Sequence, residues 1–250
     1  LISDGSQWRF FDQGTIIEVE QEKDFPHIVD LLNFYRPERP VDGIILTVSA
    51  QQLVAASEPT EQRQLGERLY QQLWQIQQKT GFVVPVYVQL TQCDLVPGFE
   101  AFWRARNKDQ PKEMFGWSNP YRMDEAYSDQ WIDEAFDTLV DGVRSGQLAV
   151  AAKGGDIEDI DAFMLFDREL MQLYAPLKAV LSYAFSRSSF QDAPPLRGIW
   201  LSGLINGQAA PTEDFFSQKL WPEANLAYPL EQRRFSANRI LRRMQYASLA

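Results

Sequence analysis

The apolar residues of the chain change their spacing several times, and each change marks an element. QWRFF and QGTIIEVE flank Asp12-Gln13-Gly14, a turn signal, and predict two short strands paired as an antiparallel ribbon. HIVDLLNFY sets Ile28, Leu31, Leu32 and Tyr35 at helical intervals and stops at RPERP, whose two prolines cannot extend a helix. GIILTVS is a near-continuous apolar run with many β-branched residues, the pattern of a strand covered on both faces. From Thr60 to Thr80, Leu65, Leu69, Leu73 and Ile76 form one stripe opposite Gln, Arg and Glu, with Thr60 and Gly81 as start and stop signals. VVPVYVQLT is a second buried strand. Strand, amphipathic helix and strand in succession predict a right-handed βαβ unit. The expected fold class is therefore α/β, a mainly parallel sheet flanked by helices.

Residues 99–190 differ in character: they are aromatic and acidic, with helical patterns in YSDQWIDEAFDTLVDGVRSG and IDAFMLFDRELMQLYAPLKAVLSYAF and no convincing strand. This stretch is expected to be a helical insertion. LRGIWLSGLI then returns to a buried-strand pattern bounded by Gly198 and Gly203, so the sheet resumes after the helices. TEDFFSQKLW predicts a helix with Thr212 as its N-cap and Pro211 before it, and FSANRILRRMQYASLA predicts a last, basic amphipathic helix. No internal repeat or low-complexity tract is present.

Composition narrows the chemistry. At 250 residues, 45% hydrophobic and 23% charged, the chain can bury a full core and is too apolar to be disordered. A formal charge of -10 argues against general nucleic-acid binding, which needs clustered Lys and Arg. The exception is local: RRFSANRILRR carries Arg233, Arg234, Arg239, Arg242 and Arg243 with no acid. With one cysteine, Cys93, there is no intramolecular disulfide, and the single histidine, His27, argues against a His-based metal cage or catalytic triad. No apolar run approaches the ~20 residues that span a bilayer, and no signal peptide is visible. Without an initiator Met, and opening on LISDGSQW, the sequence reads as a piece of a longer chain.

The carboxylates of GGDIEDIDAF read as a solvated loop and helix start rather than a catalytic pair. Phosphate chemistry asks for a Gly-rich loop with Lys and Ser or Thr between a strand and a helix, and no Gly-x4-Gly-Lys-Ser/Thr occurs. Lys153-Gly154-Gly155 is not in that context. LTQCDLVPGF, directly after VVPVYVQ, has the form of a strand-end base-recognition signal: Asp94 stands at the base-reading position, and Gln92 occupies the place of a Lys.

RPERPVDGIILTVSAQQLVAAS, VPVYVQLTQCDLVPGFEAF, PLRGIWLSG and LWPEANLA followed by an Arg-rich stretch together resemble the cytoplasmic domain of the IcmF/TssM family, the large inner-membrane component of type VI secretion systems. The likeness is most specific over residues 36–103 and 195–247. It implies a small-GTPase-like, P-loop NTPase-like domain over 1–98 and 191–232, with any phosphate loop upstream of Leu1. It also implies a helical subdomain at 99–190 and, at 233–250, a basic helix on the cytoplasmic flank of a transmembrane span. The implied location is the cytoplasmic face of a bacterial inner membrane.

Members with an intact nucleotide site carry Asp-Thr-Ala-Gly after a Trp-rich strand, and Thr-Lys-Cys-Asp. Here Trp8 and Phe10 fit the strand, but Glu18-Val19-Glu20-Gln21 replaces the first motif and Gln92 replaces the Lys of the second. Glu18 becomes a vestigial switch carboxylate, and Glu20 adds charge unfavourable to a triphosphate. If nucleotide binds, Asp94 and Gln92 are the residues expected to meet it, with Ser202 and Gly203 at the next strand end, where crevices of open α/β sheets form. The resemblance implies a scaffold without cofactor or catalytic residue, meeting TssL-like membrane-complex subunits and TssK-like baseplate subunits and no nucleic acid. The alternatives are an active ATPase or GTPase energising assembly or secretion, which needs an intact upstream phosphate loop, and a stand-alone GTPase-like regulator.

Overall fold

The computed structural model describes residues 6–19, 24–107, 114–152, 159–185, 194–205, 208–210 and 215–230. The expected ribbon is present as β1 (Ser6–Phe11) and β2 (Gly14–Val19), an antiparallel two-stranded sheet that turns at Asp12-Gln13. Helix α1 (Phe25–Tyr35) follows, buries Ile28 and Val29, and ends before Arg36.

The βαβ unit is β3 (Ile44–Ser49), the short helix α2 (Ala50–Ala55), α3 (Pro59–Thr80), β4 (Phe82–Val83) and β5 (Val86–Thr91). Strands β3 and β5 pair in parallel from Ile44–Val86 to Ser49–Thr91. Helix α3 stops at Gly81, whose left-handed φ of 68° needs no Cβ. Pro85 precedes β5, so VVPVYVQLT is divided into two strands rather than one.

Helices α4 (Phe99–Asn107), α5 (Gln130–Ala152), α6 (Ile160–Met171) and α7 (Tyr174–Ala184) fill the helical stretch. The long pattern from Ile160 breaks at Gln172-Leu173 because Pro176 has no N–H to donate back toward Gln172 and its ring opposes that carbonyl. Strand β7 (Leu196–Leu201) then joins β5 in parallel, with a register shift beside Val86.

The helical stretch also contains a strand that its pattern does not announce. Strand β6 (Gly116–Ser118) pairs antiparallel with β7, so the main sheet has the order β3-β5-β7-β6 and is mixed. Three residues are too short for alternation to show. Two glycines permit the approach: a Cβ on Gly116 would lie 2.5 Å from the Ile199 carbonyl oxygen, and one on Gly198 (φ 150°) would lie 2.2 Å from that of Trp117.

Alternation along the strands separates two cores. Val86, Val88, Leu90, Ile199 and Leu201 join the buried faces of α2 to α7 in one continuous apolar cluster, so the helices and the sheet share a core. Tyr87 and Trp200 point to the opposite face and meet Phe215. There, the π-helical turn Phe216–Leu220 stands where the sequence predicts a helix over TEDFFSQKLW; Thr212 lies outside the described residues. A polar cluster fastens this segment to the sheet: Arg197 Nη2 and Lys219 Nζ lie 3.1 and 2.6 Å from Glu223 Oε1, and the Tyr87 hydroxyl donates to Glu223 Oε2 at 2.9 Å. Burial alone would raise the Glu223 pKa, but these three donors outweigh it and lower the value. Strands β8 (Gly203–Ile205) and β9 (Gln208–Ala210) form a small hairpin, and β10 (Tyr228–Pro229) pairs with β4.

Candidate functional site at the carboxyl ends of the parallel strands

Three parallel strands, β3, β5 and β7, end side by side. Ser49 is the last residue of β3, and just beyond β5 and β7 lie Gln92, Asp94, Ser202 and Gly203, so the structure brings together four of the residues singled out in the sequence. Their hydrogen bonds run mainly to one another and to the strand ends.

Ser202 is buried; its N–H donates to the Leu90 carbonyl at 2.7 Å and its hydroxyl reaches the same oxygen at 3.2 Å. Its own carbonyl accepts the Cys93 N–H at 3.0 Å. The Cys93 thiol, fully buried, lies 3.4 Å from Leu90 O, and burial pushes its pKa up to about 12. Cys93 is accordingly a small core side chain tying the end of β5 to the end of β7.

Asp94 sits in a short 3-10 turn, Cys93–Leu95, and its Oδ1 accepts the backbone N–H of Leu204 at 2.9 Å. Gly203 lies under this bond. A Cβ there would lie 2.7 Å from Asp94 N, 2.8 Å from a ring carbon of Phe99 and 2.9 Å from Asp94 Oδ1. The absence of a side chain at 203 is thus what lets the β7–β8 junction approach the turn.

Gln92 is the only non-glycine residue with positive φ among the described residues, at 58°. A left-handed conformation costs an ordinary residue about 1 kcal/mol. The Gln92 side chain offsets part of this through its carbonyl, which accepts the Ser49 hydroxyl, while Ser49 Oγ accepts the Gln52 N–H at 3.1 Å and caps α2. A lysine at 92 has no acceptor to offer that hydroxyl. The residue that departs from the base-recognition signal therefore fits its surroundings. Ser49 itself is identifiable in the sequence as an N-cap at the end of an apolar run, a signal that the base-recognition reading passes over.

Glu18 is placed elsewhere. It lies on β2 with its carboxylate 3.2 Å from Arg9 Nη2 of the facing strand. The ribbon packs through Phe11 on Phe216 and Trp221, with ring centroids 5.7 and 5.8 Å apart, so Glu18 belongs with the segment covering the opposite sheet face. Arg233, Arg234, Arg239, Arg242 and Arg243 lie outside the described residues. Among the described residues, no group of three or more His, Cys, Asp or Glu side chains is arranged to hold a metal ion, and no helix is long and apolar enough to cross a membrane.

Residues 18–212 match the family model of the IcmF-related N-terminal domain. The type VI secretion system component TssM1 of Pseudomonas aeruginosa is 25% identical to this chain over 178 residues, covering 70% of the chain and 16% of that relative. The chain thus spans a small part of the relative's length. No solved structure matches.

Proposed function

The chain belongs to the IcmF-related N-terminal domain family, and we propose that it is part of a TssM-type component of a type VI secretion system, where it works as an architectural domain without nucleotide turnover. The observation that carries the reading is the engagement of the strand-end residues: Asp94 holds the Leu204 N–H, Ser202 holds Leu90, and Gln92 holds Ser49. In this reading, a set of positions that in a GTPase-like fold faces a nucleotide has become the joint between β5, β7 and the β8–β9 hairpin. The fold is small-GTPase-like, kept for its rigidity. The partners are other subunits of the inner-membrane complex and of the baseplate, and the domain lies on the cytoplasmic face of the inner membrane.

The test is a thermal-shift titration, with Mg-GTP and Mg-ATP, of the complete cytoplasmic domain with its natural N-terminus, because the sequence reading puts any phosphate loop upstream of Leu1. A ligand that binds only the native state raises stability by RT ln(1 + [L]/Kd), about 2.7 kcal/mol at a concentration one hundred times Kd. The expected result is no shift at millimolar nucleotide. A shift accompanied by hydrolysis, with loss of turnover in Glu18→Ala, would establish the active NTPase instead.

A further inference from the structure

Helix α6 buries Phe163, Phe166 and Leu170 in the common core, and that face accounts for its helical pattern. Its other face is not the polar surface such a helix ordinarily turns to water. Ile160, Met164, Leu165 and Met171 stand 58%, 54%, 49% and 42% exposed there. Arg144 Nε of α5 lies 3.0 Å from Asp167 Oδ2, and Gln147 Nε2 donates to Phe163 O at 2.6 Å. Helix α5 therefore runs antiparallel alongside α6 and brings Leu148, itself exposed, level with Met164. Single exposed apolar residues are ordinary, whereas five on one two-helix face mark an interaction surface.

The charges on this face identify its occupant. Asp161 and Arg168 are exposed, and neither side chain has an ion pair among the described residues. Seven positions, about two helical turns, separate them, so they lie on one line with Met164 and Leu165 midway. Their places in the first and last turns suit the helix dipole, which accounts for the charges but not for the apolar residues between them. The neighbouring Arg144–Asp167 pair is satisfied within the chain.

A two-fold contact between identical chains requires a patch complementary to itself. This face is: when two copies of α6 lie antiparallel with the axis between Met164 and Leu165, Asp161 of each copy stands opposite Arg168 of the other. A partner of another sequence has no need of that symmetry. We infer that the α5–α6 face is a two-fold contact with a second copy of this chain, apolar at the axis and closed on either side by a reciprocal Asp161–Arg168 pair. The four helices then form one packed layer, and the strand-end joint takes no part in it. The inference rests on this face alone and does not depend on the secretion reading.

Sedimentation equilibrium of the full chain across the micromolar range tests it, since a contact confined to two helices per copy predicts a dimer of micromolar Kd. Met164→Glu, which sets an acid beside the axis in both copies, should weaken association roughly tenfold or more and leave the melting temperature of the dilute monomer unchanged. Asp161→Arg and Arg168→Asp should each suppress self-association by placing like charges opposite one another. An equimolar mixture of these two variants should associate again, because each copy then meets its opposite charge at both positions. Non-specific apolar clustering gives no such rescue. Four results would overturn the inference: a wild type that stays monomeric, association indifferent to Met164→Glu or to either charge variant, a mixture that stays monomeric, or a lower melting temperature of dilute Met164→Glu. The last would mean that the chain itself covers the face.

Discussion

Asp94→Ala separates a joint from a ligand site. In the wild type its carboxylate accepts one backbone N–H, that of Leu204, at 2.9 Å, and the residue is half-buried. Hydrogen bonds to charged groups contribute about 1.5–3 kcal/mol, and partial exposure brings this one to the bottom of that range or just below it, at about 1–2 kcal/mol. In a domain of this size each kcal/mol moves the melting temperature by about 2–4 °C, so the variant should melt roughly 2–8 °C lower. Asp94→Asn keeps an oxygen that can accept the same N–H and should recover more than half of the loss. Thermal and urea unfolding of the full chain, followed by circular dichroism, measure both variants. A ligand-reading aspartate predicts the reverse: removing an unengaged carboxylate costs the free protein nothing and abolishes any nucleotide-induced shift. Wild-type stability in Asp94→Ala would therefore refute the assignment of Asp94 to the joint.

The cluster at Glu223 predicts a pH dependence. Because its folded pKa lies below the unfolded value of about 4.3, its stabilisation is complete above about pH 5 and fades as pH falls through the folded value. Glu223→Gln should cost about 2–4 kcal/mol near neutrality by leaving Arg197 and Lys219 without their counter-charge, and the difference between the two unfolding curves should shrink as the pH falls below about 5. Gly66→Ala should destabilise by about 1–2 kcal/mol despite the better helix propensity of Ala, because a Cβ would lie 2.5 Å from Val180 O and 2.6 Å from Tyr183 Cβ and push α3 off α7; chemical denaturation reads this directly. Cys93 should resist alkylation at neutral pH in the native protein and react at once in denaturant, since its thiol is buried and its pKa is pushed up to about 12.

How much of this was legible in the sequence depends on the range over which each signal acts. The βαβ unit was plain because β3, α3 and β5 each carry a long pattern of one period, with Gly81 marking the end of the helix. Strand β6 was not, because three residues hold no period and their placement depends on two glycines 82 positions apart, Gly116 and Gly198, yielding room to each other's strand. The expected flanking of the sheet by helices holds on one face; on the other, Phe215 and a single π-helical turn cover Tyr87 and Trp200, a long-range aromatic contact with no local signature. At the strand ends the sequence located Asp94, Gln92, Ser202 and Gly203 in one neighbourhood. It could not show that Asp94 would hold Leu204 or that Gln92 would hold Ser49, since both partners lie on other strands.

The left-handed turn at Gln92 ties the end of β5 to the start of α2. A single change of Gln92 to Lys would leave the Ser49 hydroxyl without its acceptor while keeping the strained backbone, so the first step toward the base-recognition signal runs uphill. The same Ser49 oxygen accepts the Gln52 N–H, so the pair at 92 and 49 is continuous with the cap of α2. Position 92 thus reaches beyond its own turn: through one hydroxyl it is coupled to the first turn of a helix that follows a different strand.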